Sequence, residues 1–176
     1  GIGLLIILET TAFRPAALGK EISGSKVVRV DDGDSIHLED GRRVRYIGVD
    51  APERGGPGKG EFLAEEAARF NRRLVLGQEV RLELEREPWD RYQRVLAQVY
   101  LKNGLWVNRE LVAAGMARVW YQPPNTAAFD RLLPDQQRAL AGRRGIWVQA
   151  LRETEAAYAG SERSRKFHRP DCPLGR

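Results

Sequence analysis

The chain has 176 residues, 42% hydrophobic and 30% charged, the balance of a soluble globular protein whose core needs no staples. Its single cysteine, Cys172, excludes an intrachain disulfide. The formal net charge is +5, but residues 160–176 hold five Lys or Arg against two acids, so that tail carries +3 and leaves +2 for everything else. A general positive field over the body is thereby excluded, and any nucleic-acid binding there must come from local placement of charge.

Residues 1–8 (GIGLLIIL) are apolar but too short to span a bilayer, which needs about 20 residues. They read as the remnant of a signal-peptide core or of an anchor, so the expected location is extracytoplasmic, secreted or membrane-anchored. Residues 9–24 show no clear period, contain Pro15, Gly19 and Gly24, and read as a linker. Segment 1–24 is thus set apart from a domain over 25–148 and a basic tail over 149–176.

Within the domain the first signals are strands. A β-branched run at 26–30 ends in Asp31-Asp32-Gly33, a strong turn signal. A second short strand is expected at 35–38, a tight connection at Glu39-Asp40-Gly41, and a third strand at 42–49. On that third strand Val44, Tyr46 and Gly48 share one face, and Arg45, Ile47 and Val49 the other. Both faces are largely apolar, which predicts a strand covered on both sides. Residues 50–60 are a loop by composition. Leu63, Ala67, Phe70 and Leu74 form one apolar stripe of a helix over 62–74.

A half-buried strand follows at 79–85, a polar loop at 87–94, and a fifth strand at 95–100. Val107, Leu111 and Ala114 mark a second helix, capped by Gly115. A third helix covers 127–141, with a kink or restart expected at Pro134. Ile146 and Trp147 give an apolar end that packs back on the core. Three strands, helix, two strands, helix, helix fit a five-stranded Greek-key barrel better than a parallel sheet. No Gly-rich phosphate loop follows any strand.

Acids and arginines gather at the loop edges. Asp31, Asp32 and Asp34 lie at the first turn, Asp50 and Glu53 where the third strand enters its loop, and Arg45 and Arg94 beside them. Any one alone is an ordinary solvated turn residue. His37 reads as structural. The four tryptophans, Trp89, Trp106, Trp120 and Trp147, read as core or rim residues, with Trp89 placed to touch a base. In the tail, His168 and Cys172 stand four apart, and two ligands do not make a zinc site. The tail is expected as basic, unordered chain.

In combination these segments resemble the staphylococcal nuclease family. The matching runs are Asp32-Gly33-Asp34-Ser35, RYIGVDAPE at 45–53, and Asp90-Arg91-Tyr92-Gln93-Arg94. Further matches are LWVNRELVAAG at 105–115, YQPPNT at 121–126, and Gly145-Ile146-Trp147. Their order and spacing hold over roughly residues 25–148.

The resemblance implies an α+β fold, a five-stranded OB-fold (Greek-key) β-barrel with three helices. It implies a calcium-dependent nuclease acting on single- or double-stranded DNA and RNA and leaving 3′-phosphates, a monomer with no stable protein partner. Residue by residue, it makes Asp34 and Asp50 the Ca2+ carboxylates, with the Ala51 main-chain carbonyl as a further ligand. Glu53 matches the acid that handles the attacking water, and Arg45 and Arg94 the phosphate-binding arginines. Arg91, Tyr92 and Tyr121 border the nucleotide pocket, Arg91 in place of a usual lysine. Ala51 stands where the family often has threonine. A catalytically silent nucleic-acid-binding OB-fold is the competing expectation; such a domain is expected to have lost acids or arginines, and here Asp34, Arg45, Asp50, Glu53 and Arg94 are all present.

Overall fold

The structure, a computed structural model, describes residues 20–56, 58–150, 159–161 and 166–168. The apolar segment 1–8 and Cys172 lie outside the described residues. In chain order the elements are β1 (Lys20–Ile22), β2 (Val27–Val30), β3 (Ser35–Leu38), β4 (Arg43–Tyr46), β5 (Val49–Asp50), α1 (Ala64–Val75), β6 (Val80–Trp89), β7 (Val95–Leu101), α2 (Val107–Ala113), β8 (Arg118–Val119), α3 (Phe129–Ala141), α4 (Trp147–Ala150), β9 (Ala159–Ser161) and β10 (Lys166–His168).

The frame is a six-stranded mixed sheet in the order β1-β6-β7-β4-β3-β2. Neighbours are antiparallel except β4 and β7. The expectation of five strands is corrected by β1, which pairs with Leu82–Leu84 of β6. Three residues are too few to show a period, so this strand was hidden inside the apparent linker; it forms because β6 offers an open edge. The far edge, β2, returns to the start of β6: Lys26 bridges Glu79, the Val27 N–H donates to Gln78 O (2.9 Å), and the Gly77 N–H donates to Val27 O (2.9 Å). Among the described residues the strand ladders do not form an unbroken closed barrel.

The third expected strand is split. Gly48 takes φ +75°, a left-handed conformation open to glycine, and ends the extended run after β4. The chain resumes as β5, which leaves the main sheet and pairs with β8. Both faces are buried as the apolar pattern implies: Val44, Tyr46, Ile47 and Val49 are all in the core.

The helices fall where the periodicity puts them. α1 carries Glu65 and Glu66 in its first turn and Arg72 and Arg73 in its last, each end matching the helix dipole. Ala67 is fully buried, and Phe70 and Leu74 pack partly buried against the core. α2 ends in a paired cap: the Gly115 N–H donates to Val112 O (3.0 Å) and the Met116 N–H to Leu111 O (2.8 Å), with Gly115 at φ +69°. α3 runs through Pro134 as one element, so the expected restart does not occur. Ile146 is tied back by its N–H to Gly115 O (2.9 Å). No described helix is long and apolar enough to cross a membrane. In the tail, β9 and β10 pair antiparallel, so part of the segment expected to be unordered forms a small ladder.

Candidate active site

The turn between β2 and β3, the β4–β5 run and the β6–β7 turn meet at one end of the sheet. Close approach starts with Gly33. A side-chain methyl there would lie 2.4 Å from the Ala51 Cβ and 3.0 Å from the Ala67 Cβ, so only glycine lets the acidic turn nest between the loop and α1. Asn71, fully buried on α1, locks the turn: its side-chain N–H donates to Asp32 O (3.1 Å), and its Oδ1 accepts from the Tyr46 hydroxyl (3.0 Å).

Arg45 is the hub. Its Nη1 pairs with Asp34 Oδ1 and its Nη2 donates to Asp50 Oδ1 (3.2 Å), so one guanidinium joins the two acids. Asp34 is only 2% exposed. Oδ1 also accepts from the Ser35 hydroxyl (3.2 Å), and Oδ2 accepts the Ala51 N–H (2.7 Å). Burial pulls the Arg45 guanidinium below its ordinary pKa, opposed by the charges of Asp50 and Asp32.

Glu53 stands in the loop after β5. Its N–H donates to Glu61 Oε2 (3.0 Å), and the Glu61 N–H returns to Glu53 O (2.9 Å). Burial first, and then the negative charge of Asp32, raise the Glu53 carboxyl above the usual glutamate range, while Arg45 pulls it down. Burial likewise raises Asp32, against the attraction of Arg45. These mutual fields put Glu53, Asp32, Asp50 and Arg45 in one electrostatic neighbourhood, and Arg94 enters it as a like charge that disfavours protonated Arg45.

Arg94 is held by Asp90. Asp90 Oδ2 accepts from Arg94 Nε (2.7 Å), while Oδ1 accepts the N–H of Tyr92 (2.8 Å) and of Arg94 (3.0 Å). Tyr92, 54% exposed, lies under two guanidinia, with Arg91 4.8 Å and Arg94 5.5 Å from its ring centre. Arg91 Nη2 also donates to the Tyr92 hydroxyl (2.6 Å). Tyr121 is placed differently: it packs edge-on against Phe129 of α3, centroids 5.2 Å apart. The structure thus brings Asp34, Arg45, Asp50, Ala51, Glu53 and Arg94 into one neighbourhood, with Arg91 and Tyr92 beside Arg94 and Tyr121 on the α3 side.

Sequence reasoning singled out neither Asn71 nor Arg118. Arg118 on β8 faces Asp50 across the β5–β8 pairing and donates to Asp50 Oδ2 from Nε (2.9 Å) and Nη2 (2.6 Å). Nothing local in the sequence marks either residue; both act through contacts far along the chain. Asp31, by contrast, is taken up by His37 (2.6 Å) and Arg29 (2.6 Å), which agrees with a structural His37.

Among the described residues no group of three or more His, Cys, Asp or Glu side chains is arranged to hold an ion. The donor chemistry nevertheless fits a hydrated hard cation: two carboxylates, Asp34 and Asp50, stand either side of Arg45, and the Ala51 main chain lies against Asp34. Such cations take oxygen ligands and keep several waters when few protein ligands are present.

Acids paired with arginine forks around one end of a sheet define a site for handling a phosphate ester. A family model described as staphylococcal nuclease homologue matches residues 43–149. A thermonuclease of Staphylococcus hyicus is 34% identical over 151 residues, 83% of this chain and 89% of that protein. A thermonuclease of Staphylococcus intermedius is 38% identical over 125 residues, 69% of this chain and 74% of its own length. An uncharacterized endonuclease of Escherichia coli is 38% identical over 129 residues, 71% and 77%. The chain belongs to the staphylococcal nuclease family.

Proposed function

We propose that this nuclease hydrolyses the phosphodiester bonds of DNA and RNA, single- or double-stranded, in a calcium-dependent reaction that cuts internally and leaves 3′-phosphates. The observation that carries the reading is the joining of Asp34 and Asp50 by the partly buried Arg45, with Glu53 and Arg94 in the same field. Asp34, Asp50 and the Ala51 carbonyl would hold the Ca2+ ion. When bound, that ion supplies Lewis-acid polarisation of a phosphate oxygen.

The remaining work falls to the side chains. Arg45 and Arg94 stay charged and present planar forks to the phosphoryl oxygens, where attack adds negative charge. Their mutual repulsion is relieved by an anion between them, which favours the more highly charged transition state over the ground state. Glu53 orients the attacking water or takes its proton; its raised pKa brings it closer to the range in which a base works at neutral pH. Arg91 and Tyr92 border the nucleotide, with Tyr121 a further contact.

The fold reading that goes with this function is an OB-type barrel formed by β2, β3, β4, β6 and β7, with β1 added outside. The return of β2 to β6 through Lys26 and Glu79 supports it. The apolar residues 1–8 support an exported location, which fractionation of cells carrying the full gene would test.

The deciding experiment is digestion of plasmid and single-stranded DNA by the purified protein, with calcium and with EGTA. Cleavage that needs calcium and falls by about 10²-fold or more in Glu53→Gln is expected. Binding without cleavage under any metal would replace this reading with a silent nucleic-acid-binding domain; cleavage unaffected by EGTA would overturn the metal assignment.

A further inference from the structure

A third arginine stands at this site. Asp50 is clamped between two guanidinia, Arg45 Nη2 on Oδ1 at 3.2 Å and the Arg118 fork on Oδ2 at 2.9 and 2.6 Å. The two clamps differ. The Arg45 side chain is 17% exposed and tied to two acids, whereas the Arg118 side chain is 52% exposed and, among the described residues, pairs with the carboxylate of Asp50 alone. Arg118 is also placed by a two-residue strand, directly opposite Asp50 in the β5–β8 pairing.

A cation and a guanidinium cannot both take the same carboxylate oxygen at full strength. The partly buried Arg45 cannot leave without also losing its ion pair to the buried Asp34; Arg118 can rotate into solvent at little cost. Once off Asp50, its fork remains at the rim of the site, next to Arg45, where a nucleotide phosphate would lie.

We propose that Arg118 is a positioning residue that competes with the divalent cation for Asp50 and, when displaced, binds a phosphate of the nucleic acid. Arg118 thereby couples cation and substrate: each makes room for the other. This rests on the reading of Asp50 as a calcium carboxylate. Because coupling of binding free energies is reciprocal, calcium tightens nucleotide binding by the same factor as nucleotide tightens calcium binding.

The test is calorimetric titration of the whole protein with Ca2+, with and without thymidine 5′-monophosphate, which has no phosphodiester bond to cut. Arg118→Ala and Arg118→Gln are compared with the wild type, each first checked for an unchanged thermal transition. Loss of the competing ion pair is expected to tighten Ca2+ alone by roughly two- to five-fold. The enhancement of Ca2+ binding by the nucleotide is expected to shrink in both variants, and Arg118→Lys to restore part of it. Ca2+ affinity that is equal or weaker in the variants, or undiminished coupling, overturns the role of Arg118 while leaving the calcium site standing. No Ca2+ binding by the wild type, with or without nucleotide, overturns the calcium reading and this inference together.

Discussion

The Ala51 N–H donates to Asp34 Oδ2 across 2.7 Å, joining the loop after β5 to the turn before β3. A carboxylate and a backbone N–H seventeen residues apart in the chain thus fix the turn against the loop. The joint exists only because Gly33 lets Ala51 approach, an added methyl falling 2.4 Å from the Ala51 Cβ. Gly33→Ala is therefore expected to cost about 1–3 kcal/mol of stability, as overpacking does. Its loss of nuclease activity should exceed what the unfolded fraction explains, because Asp34 and Ala51 are pushed apart. Urea unfolding together with turnover at a temperature where the variant is folded checks this; full activity in the folded variant would mean that the approach is not needed.

Asn71 holds the same turn from beneath. Replacement by alanine leaves the Tyr46 hydroxyl buried without its acceptor and frees Asp32 O. An expected loss of about 1–3 kcal/mol follows from the unsatisfied buried group. The double variant Asn71→Ala, Tyr46→Phe removes both partners and should recover part of that loss. A double variant no more stable than Asn71→Ala would show that the hydrogen bond is not the origin of the cost.

What the sequence made legible was local. The Asp32–Asp34 turn, the run from Arg45 to Glu53 and the Asp90–Arg94 turn are short segments whose composition and order are visible at once, and the structure sets them at one end of the sheet. The stripe of α1 and the cap of α2 at Gly115 were readable for the same reason. Hidden features depend on distant partners. Arg118 meets Asp50 across 68 residues through two strands of two residues each, too short for any period. β1 is three residues stabilised by an edge of β6 that only the fold creates. The break at Gly48 interrupts a run whose apolar pattern on both faces continues unchanged.

Asp135 on α3 is expected to give the domain part of its acid sensitivity. Burial works to raise its carboxyl, but the hydrogen bonds from Arg109 (2.8 Å) and Arg138 outweigh it, and the pKa in the folded protein lies below the ordinary value. The stability this contributes is present above the unfolded-state pKa, about 3.9, and is lost as pH falls through the lower folded-state value. Both arginines are more than half exposed, so solvent screening keeps the contribution on the order of 1 kcal/mol or less. Asp135→Asn should be less stable than the wild type at pH 7, with the gap closing in acid. A gap that stays constant down to pH 2 would remove titration of Asp135 as its cause.

Asp90 sets the direction of Arg94. Its Oδ2 takes Arg94 Nε at 2.7 Å, while its Oδ1 ties the N–H groups of Tyr92 and Arg94 and so fixes the turn that carries them. If Arg94 acts through a bidentate fork, the fork must be aimed as well as charged. Arg94→Lys keeps a charge but loses the plane, and turnover is expected to fall by about 10²-fold. Asp90→Ala keeps the guanidinium but frees its direction, and should lower turnover as well, by a smaller factor and with a higher KM. Addition of guanidinium ion should then restore some activity to an Arg94→Ala protein but none to Asp90→Ala, whose guanidinium is present but unaimed. If Arg94→Lys turns over at close to the wild-type rate, charge alone suffices and the bidentate role of Arg94 is wrong; if Asp90→Ala is unimpaired, the ion pair serves only the turn.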